Sequence, residues 1–120
     1  VQALKNNPIS IFGDGSQTRS FCYVDDLVRG LIAFMEKGKD VSGPINLGNP
    51  EEVTILDIAN EILELTNSKS EITFKDLPLD DPVRRKPDIS RAAEVLSWAP
   101  LVKRKTGFLE TIKYFSKVLN

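Results

Sequence analysis

The 120-residue sequence has no histidine and a single cysteine, Cys22. It therefore cannot build a His/Cys metal site, a Ser-His-Asp triad or a thiol–imidazole pair. A lone thiol closes no internal disulfide, and no Asn-x-Ser/Thr acceptor occurs, which fits a reducing compartment. We expect a cytoplasmic location. No apolar run approaches the ~20 residues of a membrane span, and Val1-Gln2-Ala3-Leu4-Lys5 lacks the charged-then-apolar pattern of a signal peptide. An excess of either charge is missing too. With 16 basic and 17 acidic residues there is no overall field for nucleic acid or an anionic membrane, so neither is expected as a partner. Anion binding has to come from a few placed arginines. An initiator Met is also missing, and Val1–Leu4 reads as the last turn of a helix already under way, so a longer parent chain is expected.

Two redox motifs are absent. Gly13-x-Gly15 begins like a dinucleotide fingerprint, but the third glycine position is Thr18 and no helix opens there. No Tyr-x-x-x-Lys occurs, since Tyr23 is followed four residues on by Leu27 and Tyr114 by Val118.

What is present has the make-up of one soluble globular unit, with 41% apolar and 28% charged residues. Ile9, Ile11 and Phe12, between Pro8 and Gly13-Asp14-Gly15, predict a strand and a turn. Leu27, Val28, Leu31, Ile32 and Met35 predict a helix with Asp25 as N-cap and Gly38 just past its end. Ile45-Asn46-Leu47, between Pro44 and Gly48, predicts a short buried strand. Thr54-Ile55-Leu56-Asp57 resembles a capping box, and Ile55, Ile58, Ala59, Ile62 and Leu63 form the apolar face of a second helix. Ile72 and Phe74 alternate with Thr73 and Lys75 as in a third strand. The segment from Leu77 to Pro87 holds three prolines and cannot be regular. Ser90–Leu96 and Phe108–Leu119 complete the set as helices. The class is α/β.

The candidate chemistry lies in arginines beside Gly- and Pro-rich turns. Arg19 follows a tight turn, where a guanidinium can fork onto two phosphate oxygens or simply stand in solvent. Arg84-Arg85-Lys86-Pro87-Asp88 sets three cations and a carboxylate in a stiffened loop. That arrangement suits a diphosphate beside a ribose diol, and equally a solvated charge run. Asp80-Asp81 and Glu51-Glu52 are paired carboxylates of the kind used in acid/base work, but such pairs in loops are ordinarily solvated. Trp98 could stack on a base and more naturally belongs to a core, as does Cys22. Asn46 could face a ligand or brace a turn.

Several segments recur together in sequence order. Ile9-Ser10-Ile11-Phe12-Gly13-Asp14-Gly15, Gln17-Thr18-Arg19-Ser20-Phe21, Tyr23-Val24-Asp25-Asp26-Leu27, Asn46-Leu47-Gly48-Asn49-Pro50-Glu51-Glu52, Asp80-Asp81-Pro82, Arg84-Arg85-Lys86-Pro87-Asp88-Ile89 and Trp98-Ala99-Pro100 resemble the C-terminal region of the extended short-chain dehydrogenase/reductases that act on sugar nucleotides. The resemblance runs over essentially all 120 residues. It implies a single nucleotide-sugar-binding domain over residues 1–120, with a few short strands, four helices and no Rossmann half. Within that superfamily the Gln-Thr-Arg-Ser-Phe segment and the Arg-Arg-Lys-Pro-Asp loop look most like UDP-glucuronate decarboxylases. The Asn-Val-Arg-Asp of dTDP-glucose dehydratases and the Val-Arg-Asp-Tyr of UDP-galactose epimerases differ from Gln17-Thr18-Arg19-Ser20.

The resemblance further implies that the strand before the Gly-Asp-Gly turn holds uracil through Ser10 and Phe12. It implies that Gln17 and Arg19 belong to the diphosphate grip and that Arg85 and Asp88 contact phosphate and ribose. Arg85 could also act near the reacting sugar carbon. NAD and the catalytic Tyr, Lys and Ser/Thr set would lie in an N-terminal part, leaving this chain inert alone, and the parent would be a homodimer. The implied reaction turns UDP-glucuronate into UDP-xylose and CO2. The alternatives are a dTDP-glucose 4,6-dehydratase or UDP-sugar 4-epimerase of the same build, and a non-catalytic UDP-sugar-binding module.

Overall fold

A computed structural model describes residues 1–37, 41–78 and 84–119. The chain divides into two compact units, one of Val1–Arg19, Val53–Arg85 and Phe108–Asn120, the other of Ser20–Glu52 and Lys86–Gly107.

In the first unit, β1 (Ile9–Phe12) and β4 (Ile72–Lys75) pair in parallel, with Ile9 opposite Ile72 and Phe12 opposite Lys75. Both strands fall where the apolar runs predict them. The ladder is bracketed by the Ile9 N–H donating to the Glu71 carbonyl at 2.8 Å and the Gly13 N–H donating to the Lys75 carbonyl at 2.7 Å. Ile11 is buried as the core residue of β1, whereas Phe74 is exposed, so the alternation in β4 marks a strand without marking a buried face. Between them in sequence lie β2 (Thr18–Ser20) and β3 (Glu52–Thr54), which form a separate two-stranded sheet.

α2 (Ile55–Thr66) starts where the capping box predicts it, and Thr54 accepts from the Asp57 N–H at 3.0 Å. The two preceding helix donors are also satisfied, Ile55 N–H by the Gln17 carbonyl (3.0 Å) and Leu56 N–H by the Gly15 carbonyl (3.1 Å). Ile58 and Ala59 carry its buried face, and Asn67, in the left-handed region, ends it. Val1–Leu4 leads into a 3-10 turn over Ala3–Lys5, tied down by the Ser68 hydroxyl donating to the Ala3 carbonyl at 2.7 Å.

The second unit is organised by α1 (Val24–Lys37) and α3 (Ser90–Leu96) around Ala92, Leu96 and Trp98, with Ala33, Ile45, Leu47, Ile89 and Val95 packed against them. α1 begins at Val24, so Asp25 lies in its first turn and is not the N-cap. Gly38 lies outside the described residues. The helix faces the opposite way from the usual amphipathic pattern. Its inner side is Asp26, Gly30 and Ala33, whereas Val24, Leu27, Val28, Leu31, Ile32 and Met35 are exposed. Gly30 allows the close approach there, because a Cβ would sit 2.8 Å from a Leu47 methyl and 3.0 Å from the Trp98 indole nitrogen, so that Leu47 would have to shift.

Two further expectations need correction. Ile45-Asn46-Leu47 is not a strand: no ladder partner runs beside it among the described residues, and Ile45 and Leu47 are held by side-chain packing alone. The last helix, α4 (Arg104–Leu119), begins four residues before Phe108. Gly107 masks its first turn in the sequence, being a poor helix former. The site admits no larger residue easily, since a Cβ there would meet the Tyr23 ring at 3.0 Å.

Asp26 joins these pieces. Its carboxylate is 2% exposed as a residue and accepts from the Leu101 N–H (3.0 Å), the Val102 N–H (2.8 Å) and the Arg29 guanidinium (2.7 Å). The Trp98 indole N–H donates to its main-chain carbonyl at 2.9 Å. Burial pushes the Asp26 pKa up, but the Val102 and Leu101 donors and then Arg29 outweigh it, leaving the carboxyl below its ordinary value. A depressed folded-state pKa means that the ionised group stabilises the fold above the unfolded value of about 3.9 and that this contribution is lost as pH falls below it. Asp26→Asn, which turns a donor toward two N–H groups, should cost about 3 kcal/mol in denaturant unfolding at neutral pH. The gap between variant and wild type should narrow below about pH 4.

Candidate functional site

The sequence-predicted site residues fall mainly on the segment from β1 to β2 in the first unit. In β1 the amide groups of Ile9, Ile11 and Gly13 face β4, so those of Ser10 and Phe12 face the opposite edge. The Phe12 carbonyl on that edge is taken by the Gln17 side-chain amide at 2.6 Å. What the edge presents is the Ser10 N–H, the Ser10 carbonyl and the Phe12 N–H, in the order donor, acceptor, donor. The Phe12 side chain beside them is 47% exposed, and an open cleft of about 470 Å³ at this end of the sheet is lined by Gly13, Asp14, Phe74, Lys75, Asp76 and Leu77.

The turn after β1 is held from within. Asp14 accepts from the Ser16 hydroxyl (2.6 Å) and the Ser16 N–H (2.9 Å), and these bonds hold its carboxyl below the usual range. Gly13 and Gly15 both have positive φ. At Gly15 a Cβ would also lie 3.0 Å from the Leu56 Cβ, so the turn can lie flat against the start of α2 only with glycine there. Gln17, 6% exposed, is turned inward to Phe12.

Arg19, half-buried, donates through Nη1 to the Thr18 carbonyl at 2.7 Å, which ties one arm of its guanidinium to the main chain. Thr18 makes an isolated parallel bridge to Arg84. In a parallel bridge the residues that follow on each segment are also neighbours, so Arg19 and Arg85 leave it from adjacent positions. These residues are 66 apart in sequence, and the fold brings their backbones together.

Asp88 belongs to the second unit. Its carboxylate is bound by the Ser90 side chain and by the Ser90 N–H at 2.9 Å, which lower its pKa and start α3. It lines an open cleft of about 290 Å³ with Pro50, Lys86, Pro87, Ile89 and Ser90. Asn46 donates to the Asp88 carbonyl at 3.2 Å, a bracing role. Of the paired carboxylates, Glu51 is ion-paired with Arg104, and Asp80-Asp81 lie outside the described residues. Trp98, 1% exposed, is core and offers no face for stacking. The Cys22 thiol is half-buried, and burial, followed by the nearby Asp26 charge, raises its pKa, as suits a packing residue.

Sequence reasoning missed the bracing roles of Asp26 and Gln17. The i, i+3 pairing of Asp26 with Arg29 is the only local signal for the first. Gln17 has none, because its partner Phe12 lies across a turn.

The fold is α/β, with an open strand edge and two arginines on neighbouring backbones as its candidate site. Residues 1–48 match the model of the NAD dependent epimerase/dehydratase family. Over 119 residues the chain is 48% identical to UDP-glucuronic acid decarboxylase 1 of Danio rerio, covering 99% of this chain and 28% of that relative. The UDP-glucose 4-epimerase of Thermotoga maritima, solved with UDP-glucose, superposes with a TM-score of 0.93 at 32% identity, over 99% of this chain and 38% of that one. The UDP-glucuronic acid 4-epimerase of Bacillus cereus, in complex with UDP-glucuronic acid and NAD, superposes with a TM-score of 0.90 at 34% identity, over 98% of this chain and 38% of that one. The family model accounts for residues 1–48, and the likeness to the relative and the solved structures runs over nearly the whole chain. The chain spans under a third of the length of the curated relatives it matches.

Gly15→Ala should destabilise the first unit by about 1–3 kcal/mol through the forced positive φ and the contact with Leu56. Denaturant unfolding followed by an amide in α2 would measure it.

Proposed function

We propose that this chain is the substrate-binding part of an NAD-dependent UDP-glucuronate decarboxylase, which converts UDP-glucuronate into UDP-xylose and CO2. The observation that carries the reading is the parallel bridge between Thr18 and Arg84, which sets Arg19 and Arg85 side by side. Two guanidiniums on neighbouring backbones can fork onto the oxygens of one diphosphate. The β1 edge adds a nucleobase site. Its donor–acceptor–donor order complements the O4, N3–H and O2 face of uracil, with the exposed Phe12 ring beside it to pack on the base. In this reading Gln17, buried and bonded to the Phe12 carbonyl, braces the grip from behind.

The choice of decarboxylase rests on the 48% identity to the Danio rerio enzyme over nearly the whole chain, together with the Gln17-Thr18-Arg19-Ser20 segment. The likeness to the two 4-epimerases favours a second reading, a UDP-sugar 4-epimerase with the same grip.

The described residues do not fit NAD. The Gly13-Asp14-Gly15 turn leads into β2 and no helix, and the first three N–H groups of α2 are satisfied by Gln17, Gly15 and Thr54. No dinucleotide phosphate can be received at either place. The cofactor and the proton-transfer residues would then lie in the part of the full-length protein beyond this chain, which supplies binding energy and orientation. The full-length protein would work as a cytoplasmic homodimer.

Incubating the full-length protein with NAD and UDP-glucuronate and following the products by mass spectrometry tests the assignment. A product lighter by one CO2, with NAD restored, is expected. An isomer of unchanged mass would establish the epimerase instead. In the same protein Arg19→Ala and Arg85→Ala should each weaken UDP binding by about 1.5–3 kcal/mol by calorimetry, the range for charge-assisted hydrogen bonds. Unchanged affinity in both would remove the grip.

A further inference from the structure

We infer that Gln17 is a positioning residue, a strut that sets the spacing between the nucleobase edge and the diphosphate arginines without touching the ligand. The inference rests on the uridine-diphosphate reading of the site.

Gln17 is almost fully buried, although glutamine is ordinarily a surface residue. Its side-chain amide donates to the Phe12 carbonyl at 2.6 Å, and its main-chain carbonyl accepts from the Ile55 N–H at 3.0 Å. One residue therefore ties the end of β1 to the start of α2. The turn between Phe12 and Gln17 contains two positive-φ glycines, and its internal bonds run from Ser16 to Asp14, so the Gln17 side chain is what closes the turn from end to end. Gly15 supplies a second tie through its carbonyl to Leu56, and among the described residues Gln17 is the one that bonds the Phe12 carbonyl.

The geometry gives these ties a functional direction. The Phe12 carbonyl belongs to the Phe12–Gly13 peptide, whose N–H donates to the Lys75 carbonyl, so Gln17 holds from the other edge of β1 the same peptide that β4 holds, next to the residue whose N–H faces that edge. Arg19 lies two residues beyond Gln17, and its bridge neighbour Thr18 is the next residue along. Nucleobase and diphosphate are covalently joined in the ligand, so their two subsites must be held at one fixed separation for both to be filled together. Each subsite can bind its own fragment without Gln17. Only the joined ligand depends on the strut, as two linked binding events depend on geometry.

The test uses the full-length protein and three ligands, namely uridine, inorganic pyrophosphate and UDP, titrated into wild type and Gln17→Ala. The expected result is unchanged affinity for uridine and for pyrophosphate, with UDP weakened about tenfold by loss of the linkage. Gln17→Glu supplies the conservative rescue. An ionised carboxylate repels the Phe12 carbonyl, whereas the protonated acid can donate to it, so the UDP affinity of this variant relative to wild type should recover as pH falls. Equal losses for all three ligands in Gln17→Ala would reduce Gln17 to a folding residue. Unchanged UDP affinity, or a loss confined to uridine, would also overturn the inference. If Arg19→Ala and Arg85→Ala both leave UDP affinity unchanged, the underlying site reading fails instead, so the two failures are told apart.

Discussion

The second unit depends on a buried carboxylate. Taking Asp26 out of water carries a large penalty, and the unit meets it with two consecutive backbone N–H groups and a guanidinium, while the main-chain carbonyl of the same residue takes the Trp98 indole. A fully satisfied network of this kind has one geometry. It locks α1 against the segment from Trp98 to Val102, and the small residues Gly30 and Ala33 then let the helix approach closely enough for Leu47 and Trp98 to fill the space. Polar contacts and small side chains thus do on the inner side of α1 what large apolar residues do on most helices. The large apolar residues of α1 are left on the outside, a patch unusual for an isolated domain.

The first unit answers a different requirement, the orphan donors at the start of α2. Gln17, Gly15 and Thr54 take the first three of them, which docks the turn after β1 on the helix end. A helix N-terminus whose donors are used in this way no longer offers them to an anion. Any phosphate at this site has to be met by side-chain cations, and the bridge between Thr18 and Arg84 puts two arginines where they can act together. Capping the helix with its own chain and the proposed grip by arginine would be two sides of one arrangement.

Elements whose cause is local were legible in the sequence. β1, α2, α3 and β4 stand where hydrophobic spacing and the Thr54 cap place them. Ile45–Leu47 was misread because three apolar residues between a proline and a glycine look the same whether a ladder or side-chain packing holds them. The start of α4 was hidden by Gly107, which is there for the Tyr23 ring and not for the helix. β2 and β3 are three residues each and carry no period long enough to detect. The candidate site divides in the same way. Arg19 and Arg85 could be named from the turns beside them, but their adjacency is a long-range pairing, and Asp26 and Gln17 take their roles from partners that local patterns do not reveal.

A grip of this kind also accounts for the pattern of likenesses. The chain is 48% identical to a UDP-glucuronic acid decarboxylase, yet it superposes at a TM-score of 0.93 on a UDP-glucose 4-epimerase. The handle named in both is UDP, attached to a sugar. In the proposed reading, a nucleobase edge, two adjacent arginines and a strut between them would recognise that handle and be indifferent to what happens at the sugar. Binding energy from such a remote group is useful in catalysis because it can orient the reacting part without being altered by the reaction. One grip can therefore serve enzymes of different outcome, and the chemistry that separates them is decided by residues around the sugar.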